Sequence, residues 1–313
     1  MSLNVVFMGT PDFAVTALHE LVASEHTVLG VVTASDKPAG RGKRLRESAV
    51  KKYAIEKGLP LFQPEQLQSE SFIKTLKTLK ADVFVVVAFR MLPKIVWSIP
   101  PKGTFNLHAS LLPNYRGAAP INWAIIKGEK LSGVTTFMID QAIDTGQIIL
   151  QEALPLEKDE TAGSLHDKLA LLGGQLILKT LSAIEAGIST RPQRLSGNEH
   201  MAPKLNKDNT RIDWTLPLNE IEALIRGLSP YPSAWTVVEE METSFPLKIF
   251  AAKSLEEQHS YAPNQIIIDE KRMKIAHPEG FLVCEIVQIP NKRKMAVADL
   301  LNGRPFNPSA TVK

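Results

Sequence analysis

The chain has 313 residues, 44% of them hydrophobic and 22% charged, the balance of a globular protein with enough apolar material for two cores. Its single cysteine, Cys284, excludes an internal disulfide, and no group of cysteines and histidines has metal-ligand spacing, so no metal is expected. The net charge of +3 is too small to require a nucleic-acid partner, which leaves local clustering of cations as the electrostatic signal.

Asn4–Met8 reads as a buried strand. Gly9, Thr10 and Pro11 stop it too soon for a secretory signal, and Pro11-Asp12 opens a helix. No apolar run reaches membrane-spanning length, and a lone thiol suits a reducing compartment, so a cytoplasmic protein is expected. Thr27–Thr33 is a second strand, and Ser48–Lys57 a helix stopped by Gly58. Asp82–Ala88 is a nearly continuous β-branched and aromatic run, as expected of a central parallel strand covered on both faces. Gly133–Ile139 and Gln147–Ala153 are further strands, and Thr161 can cap a long helix ending near Gly187. The alternation predicts a doubly wound, mostly parallel α/β domain over residues 1–189, with its site beyond the carboxyl ends of the strands. Gly9-Thr-Pro-Asp-Phe13 lacks the spaced glycines of a dinucleotide binder.

Residues 190–207 lose periodicity and read as a linker. Residues 208–313 differ again. Ile221, Leu224, Ile225 and Leu228 share a helical face, followed by short strands near 234–238, 247–252, 265–269, 274–277 and 281–289. A short helix over 297–302 completes the pattern, which suggests a small β-barrel.

The chemistry concentrates between Thr104 and Tyr115. On a strand, Asn106 and His108 project side by side while Phe105 and Leu107 face the core. An amide donor beside an imidazole suits acyl transfer, because negative charge grows on the carbonyl oxygen as an amine attacks. On spacing alone the pair is also compatible with a structural role. Asp144 lies on a tight connection between two strands and could orient His108; a turn aspartate bonding its own backbone is the other reading.

The string Asn106-Leu-His-Ala-Ser-Leu-Leu-Pro113, then Tyr115-Arg-Gly-Ala-Ala-Pro-Ile121 and Asp140-x-x-x-Asp144-x-Gly146, resembles the formyltetrahydrofolate-dependent formyltransferases. Phe7–Phe13, Asp36–Lys43, Ala202-Pro-Lys204, Asp213-Trp214, Arg226–Pro232 with Ala234-Trp235, and Asp299–Arg304 narrow the resemblance to the members acting on methionyl-tRNA. It implies a Rossmann-like formyltransferase domain followed by an OB-like barrel. It implies Asn106, His108 and Asp144 as the catalytic set, and 10-formyltetrahydrofolate and methionyl-initiator-tRNA as co-substrates. The sequence carries no signal for oligomeric state, and a monomer is the default expectation. Ser110, Leu111, Leu112 and Pro113 would line the folate pocket, with Phe89, Arg90, Met91, Leu92 and Asp140 as neighbouring walls. Phe89-Arg90 departs from the tyrosine-glycine more often found in these enzymes. Formyl transfer to a small amine, such as glycinamide ribonucleotide or an amino-sugar nucleotide, would use the same set. A non-catalytic RNA-binding protein on the same fold is a further alternative.

For the tRNA, the segment 36–46 offers Lys37, Arg41, Lys43, Arg44 and Arg46 with interleaved Gly40 and Gly42. It reads as a mobile loop that orders on binding phosphates, or as an ordinary solvated loop. Lys271, Arg272 and Lys274, and Lys292, Arg293 and Lys294, sit on or near expected hairpins; the resemblance implies that they touch the tRNA backbone.

Overall fold

The computed structural model describes residues 2–39 and 44–313. Two compact units make up the chain: Met1–Gly117 with Leu131–Pro155 and His166–Met201, and Ala118–Lys130 with Leu156–Leu165 and Ala202–Lys313.

The elements begin with β1 (Asn4–Gly9), α1 (Asp12–Ala23), β2 (Thr27–Val32), β3 (Lys37–Ala39), β4 (Arg44–Arg46), α2 (Ala49–Glu56) and β5 (Leu61–Phe62). Then come α3 (Glu70–Leu79), β6 (Val83–Val87), α4 (Lys94–Trp97), β7 (Thr104–His108) and β8 (Arg116–Gly117). After α5 (Pro120–Ile126) follow β9 (Leu131–Met138), β10 (Ile148–Pro155), α6 (Ala162–Glu185) and β11 (Met201–Ala202).

The first unit is built on a seven-stranded sheet in the order β10-β9-β7-β6-β1-β2-β5. The pairs β1–β2, β1–β6, β6–β7 and β2–β5 are parallel, while β9 and β10 join antiparallel at one edge. Every residue of β6 is buried, as its β-branched sequence predicts for a strand covered on both faces. Val6, Met8, Phe84 and Val86 pack with Phe72, Leu76 and Val96 in one core cluster. Because β1, β2, β6 and β7 run in parallel, Gly9, Val32, Val87 and His108 all end at the same sheet edge. This edge is where an open α/β sheet places its ligands.

The segment expected to be a mobile loop is partly a β-hairpin. Lys37 pairs with Arg46, Pro38 with Leu45 and Ala39 with Arg44, so its arms already hold a backbone ladder. Helix α3 was not anticipated, although Phe72, Ile73 and Leu76 give it a buried face.

In the second unit lie α7 (Leu218–Leu228), β12 (Ala234–Glu240), β13 (Thr243–Glu256), β14 (Ile266–Asp269), β15 (Arg272–His277), β16 (Gly280–Gln288), β17 (Met295–Ala296), α8 (Val297–Gly303) and β18 (Thr311–Val312). The sheet runs β14-β15-β16-β13-β12-β18 and is antiparallel. Gln265 bridges Thr311, and Val312 donates its N–H to the Asn264 carbonyl at 2.9 Å, so the last strand returns to the first. This near-closure makes the expected barrel and removes the open edges of the sheet. Its core gathers Leu247, Ile249, Ile275, Leu282 and Val287 with Ile221, Ile225 and Leu228 of α7. Among the described residues no helix is long and apolar enough to cross a membrane.

Candidate active site

Strand β7 carries Asn106 and His108 to the carboxyl edge of the sheet. Phe105 and Leu107 are buried on one face, and alternation turns Asn106 and His108 to the other. His108 is itself only 6% exposed, whereas Asn106 is half-buried. Among the described residues the Asn106 side-chain amide makes no hydrogen bond, so its donors are free for a ligand.

The ring of His108 is oriented by backbone. Its Nε2 lies 2.8 Å from the carbonyl oxygen of Tyr115. A carbonyl only accepts, so Nε2 carries the hydrogen and Nδ1 is the nitrogen left to exchange a proton. Phe137 meets the ring edge-on at 6.5 Å between centroids. Asp144 Oδ2 stands 3.8 Å from Nδ1, within ion-pair reach when the ring carries a second proton. The same oxygen accepts the Gly117 N–H at 2.9 Å, which fixes the carboxylate. Asp144 adopts φ +55°, a left-handed conformation that aspartate tolerates better than most residues.

Two residues outside the expected set complete this frame. Gln193 donates from Nε2 to the carbonyls of Asp144 at 2.9 Å and Gly146 at 2.8 Å, and accepts from Arg116 Nη2 at 2.5 Å. It belongs to the stretch read as a linker, where loss of periodicity hid it. Thr135 accepts from the Leu112 N–H at 3.1 Å and donates to the Ser110 carbonyl at 2.7 Å. Ser132 and Thr136 on the same strand are polar and buried too, so its sequence did not single Thr135 out.

The expected folate walls divide by what their polar atoms already do. Ser110 is buried and its hydroxyl donates to the Asn114 carbonyl at 2.6 Å. Asp140 accepts from the Ala142 N–H at 3.1 Å and the Thr145 hydroxyl at 2.8 Å, holding its own turn. Leu112 is buried in a small cluster with Phe137 and Ile148. Leu111, Pro113 and Phe89 are half-buried and Met91 is 67% exposed, so these present apolar surface; Leu92 is buried in the core. Arg90 does not reach towards β7: its guanidinium donates to the Glu65 carbonyl at 2.9 Å and to that of Pro64, and lies over the Phe89 ring.

The cations do not form one group. Lys37 and Arg46 are exposed on paired arms of the hairpin, and Arg44 pairs through its backbone; Arg41 and Lys43 lie outside the described residues. In the second unit, Glu270 and Lys271 form a two-residue turn with φ of +44° and +65°. Arg272 beside it is held by Asp269 at 3.3 Å, and Lys274 by the same carboxylate at 3.4 Å. Lys292 and Arg293 are exposed, and Lys294 stacks over Phe250 at 4.6 Å.

The model of the formyl transferase family matches residues 3–181, and that of its C-terminal domain residues 204–305. A methionyl-tRNA formyltransferase of Flavobacterium johnsoniae is 52% identical over 99% of both chains. The chain belongs to the methionyl-tRNA formyltransferase family. The family matches therefore span both units, and the solved folds agree. HypX from Aquifex aeolicus, in complex with tetrahydrofolic acid, superposes with a TM-score of 0.65 at 18% identity, over 96% of this chain and 47% of that one. WlaRD, a sugar 3N-formyl transferase, superposes at 0.64 and 20% identity over 94% and 100%.

Proposed function

We infer that this protein transfers a formyl group from 10-formyltetrahydrofolate to the α-amino group of methionyl-initiator-tRNA. The observation that carries the chemistry is the His108 ring. One nitrogen is held by a backbone carbonyl, the other faces Asp144, and two residues away on the same strand stands an amide with no partner among the described residues.

The amine attacks the formyl carbon, so negative charge develops on oxygen; the proton leaves the attacking nitrogen and is returned to N10 of the folate as the old C–N10 bond breaks, releasing tetrahydrofolate. Asn106 aims a neutral donor at that oxygen, an interaction worth about 2.7–4 kcal/mol in comparable sites. His108 moves the proton through Nδ1, because Nε2 is committed to Tyr115. Asp144 holds the charged ring and, through Gly117, the loop that follows β7. Leu111, Pro113, Phe89 and Met91 fit a flat heteroaromatic ring as apolar walls. Ser110 and Asp140 keep those walls in shape; their polar groups are already bonded. Arg90 braces the 64–65 segment. Cys284 is buried in the second unit's core and takes no part.

The names of the relatives support tRNA as acceptor over a small amine. Lys37, Arg41, Lys43, Arg44 and Arg46, with exposed Lys271, Lys292 and Arg293, are the proposed phosphate contacts. Arg272 and Lys294 are proposed as further contacts, with part of their charge engaged by Asp269 and Phe250. Labelled formyl transfer from the folate donor to methionyl-tRNA, run beside an amino-sugar nucleotide acceptor, tests this. Transfer to tRNA alone is expected; transfer to the sugar alone would overturn it.

A further inference from the structure

The hairpin of β3 and β4 is tied at its root by groups that take no part in the chemistry at Asn106 and His108. Thr33, fully buried after β2, has its hydroxyl 2.8 Å from that of Ser48, where the chain enters α2. Gln63, just after β5, donates from one amide nitrogen to the Ala34 carbonyl at 2.8 Å and to Asp36 Oδ1 at 2.9 Å. Asp36 Oδ2 takes the Lys51 ammonium as its partner. Lys51, on the first turn of α2, also reaches Glu47 at 2.9 Å, and its N–H is capped by Ser48 at 3.0 Å. Both arms are thus bound together before the hairpin begins at Lys37.

The Asp36 and Lys51 side chains are 20% and 13% exposed. Lys51 and Gln63 hold the Asp36 carboxyl below its usual pKa, and Asp36 and Glu47 hold the Lys51 ammonium above its own. A carboxylate at the root of a basic hairpin opposes phosphate binding electrostatically. Both of its oxygens are already engaged, one by Lys51 and one by Gln63.

We propose that Asp36 is a positioning residue for the tRNA substrate. Clamped to Lys51 and Gln63, it sets the direction in which the cation-bearing hairpin leaves the carboxyl edge of the sheet. The ordering cost is then met in the free protein instead of on binding. This rests on the reading of tRNA as the formyl acceptor.

Electrostatics and positioning predict opposite signs. Asp36→Asn keeps the size and the acceptor for Gln63 but removes the ion pair. If the residue is only a negative charge near phosphate, the substitution lowers KM for methionyl-tRNA. If it is a clamp, that KM rises, roughly three- to tenfold. The turnover number, the KM for the folate donor and the slope of tRNA affinity against salt stay unchanged, because the cations and the catalytic groups remain. Lys51→Met and Gln63→Met are expected to reproduce the rise, and Asp36→Glu to recover part of it; they also serve should Asp36→Asn not fold. An unchanged or lowered KM for tRNA, or a fall in turnover alone, overturns the clamp. Wild-type protein that forms no formyl-methionyl-tRNA overturns the acceptor reading and the clamp with it. Active wild type with silent variants removes the clamp alone.

Discussion

Asp144 has two separable tasks, and substitutions pull them apart. Its carboxylate faces His108 and accepts from Gly117, and its backbone is left-handed. Asp144→Asn keeps an acceptor and tolerates that backbone, so the fold should be little changed; the charged His108 ring loses the carboxylate facing it, and turnover should fall by up to about 10²–10⁴-fold, the range for disabling acid–base catalysis. Asp144→Ala should add a stability loss of about 1 kcal/mol as the partly buried Gly117 N–H loses its partner. Urea titration alongside steady-state kinetics separates the two. His108→Ala should lower turnover by a similar factor with little change in donor affinity; a near-normal turnover number would remove His108 from the site. Gly146 tests the frame around Asp144. A Cβ there would sit 1.6 Å from the Met138 carbonyl oxygen, so Gly146→Ala must move backbone and should lower the melting temperature and activity together.

Among the elements, the hairpin and the long helix make the clearest tests. Replacing hairpin cations with glutamine should flatten the log–log dependence of tRNA affinity on salt by about 0.7–0.9 for every phosphate no longer neutralised, leaving the folate KM alone. An unchanged slope would take the hairpin out of the interface. Helix α6 starts with a reciprocal cap. Thr161 Oγ1 accepts the Ser164 N–H at 3.1 Å, and Ser164 Oγ accepts the Thr161 N–H at 3.0 Å. Thr161→Ala should cost about 1 kcal/mol in chemical denaturation. These elements were legible to different depths. A polar hydroxyl before a long apolar-periodic run announced the helix. The hairpin was hidden because its glycines and cations look like a solvated loop, and the partners that root it, Lys51 and Gln63, lie 15 and 27 residues from Asp36.

For the whole molecule, Cys284 reports on the barrel. Burial, aided by the Glu285 charge, pushes its thiol up to about 12 from an ordinary 9.0. Folded protein keeps the proton between those values while the unfolded chain loses it, so this group's contribution to stability is intact below about pH 9 and is lost as pH rises towards 12. A disulfide reagent at about pH 8 should leave native Cys284 untouched and modify it only after unfolding; fast reaction in native protein would contradict this burial.

Short-range physics wrote much of this protein into its sequence. Strand β6 is recognisable because every residue in it must suit burial, and Asn106 and His108 because a two-residue period puts them on one face. The resemblance carried by the Asn106–Pro113 string named the chemistry. Contacts between distant segments had no such local signal. That Tyr115 would commit Nε2 of His108, that Gln193 would hold the Asp144 turn, and that the Ser110 hydroxyl would be spent on its own loop were decided only by folding. Each depends on backbone atoms, which every residue carries alike, so no side-chain pattern could announce which of them would meet.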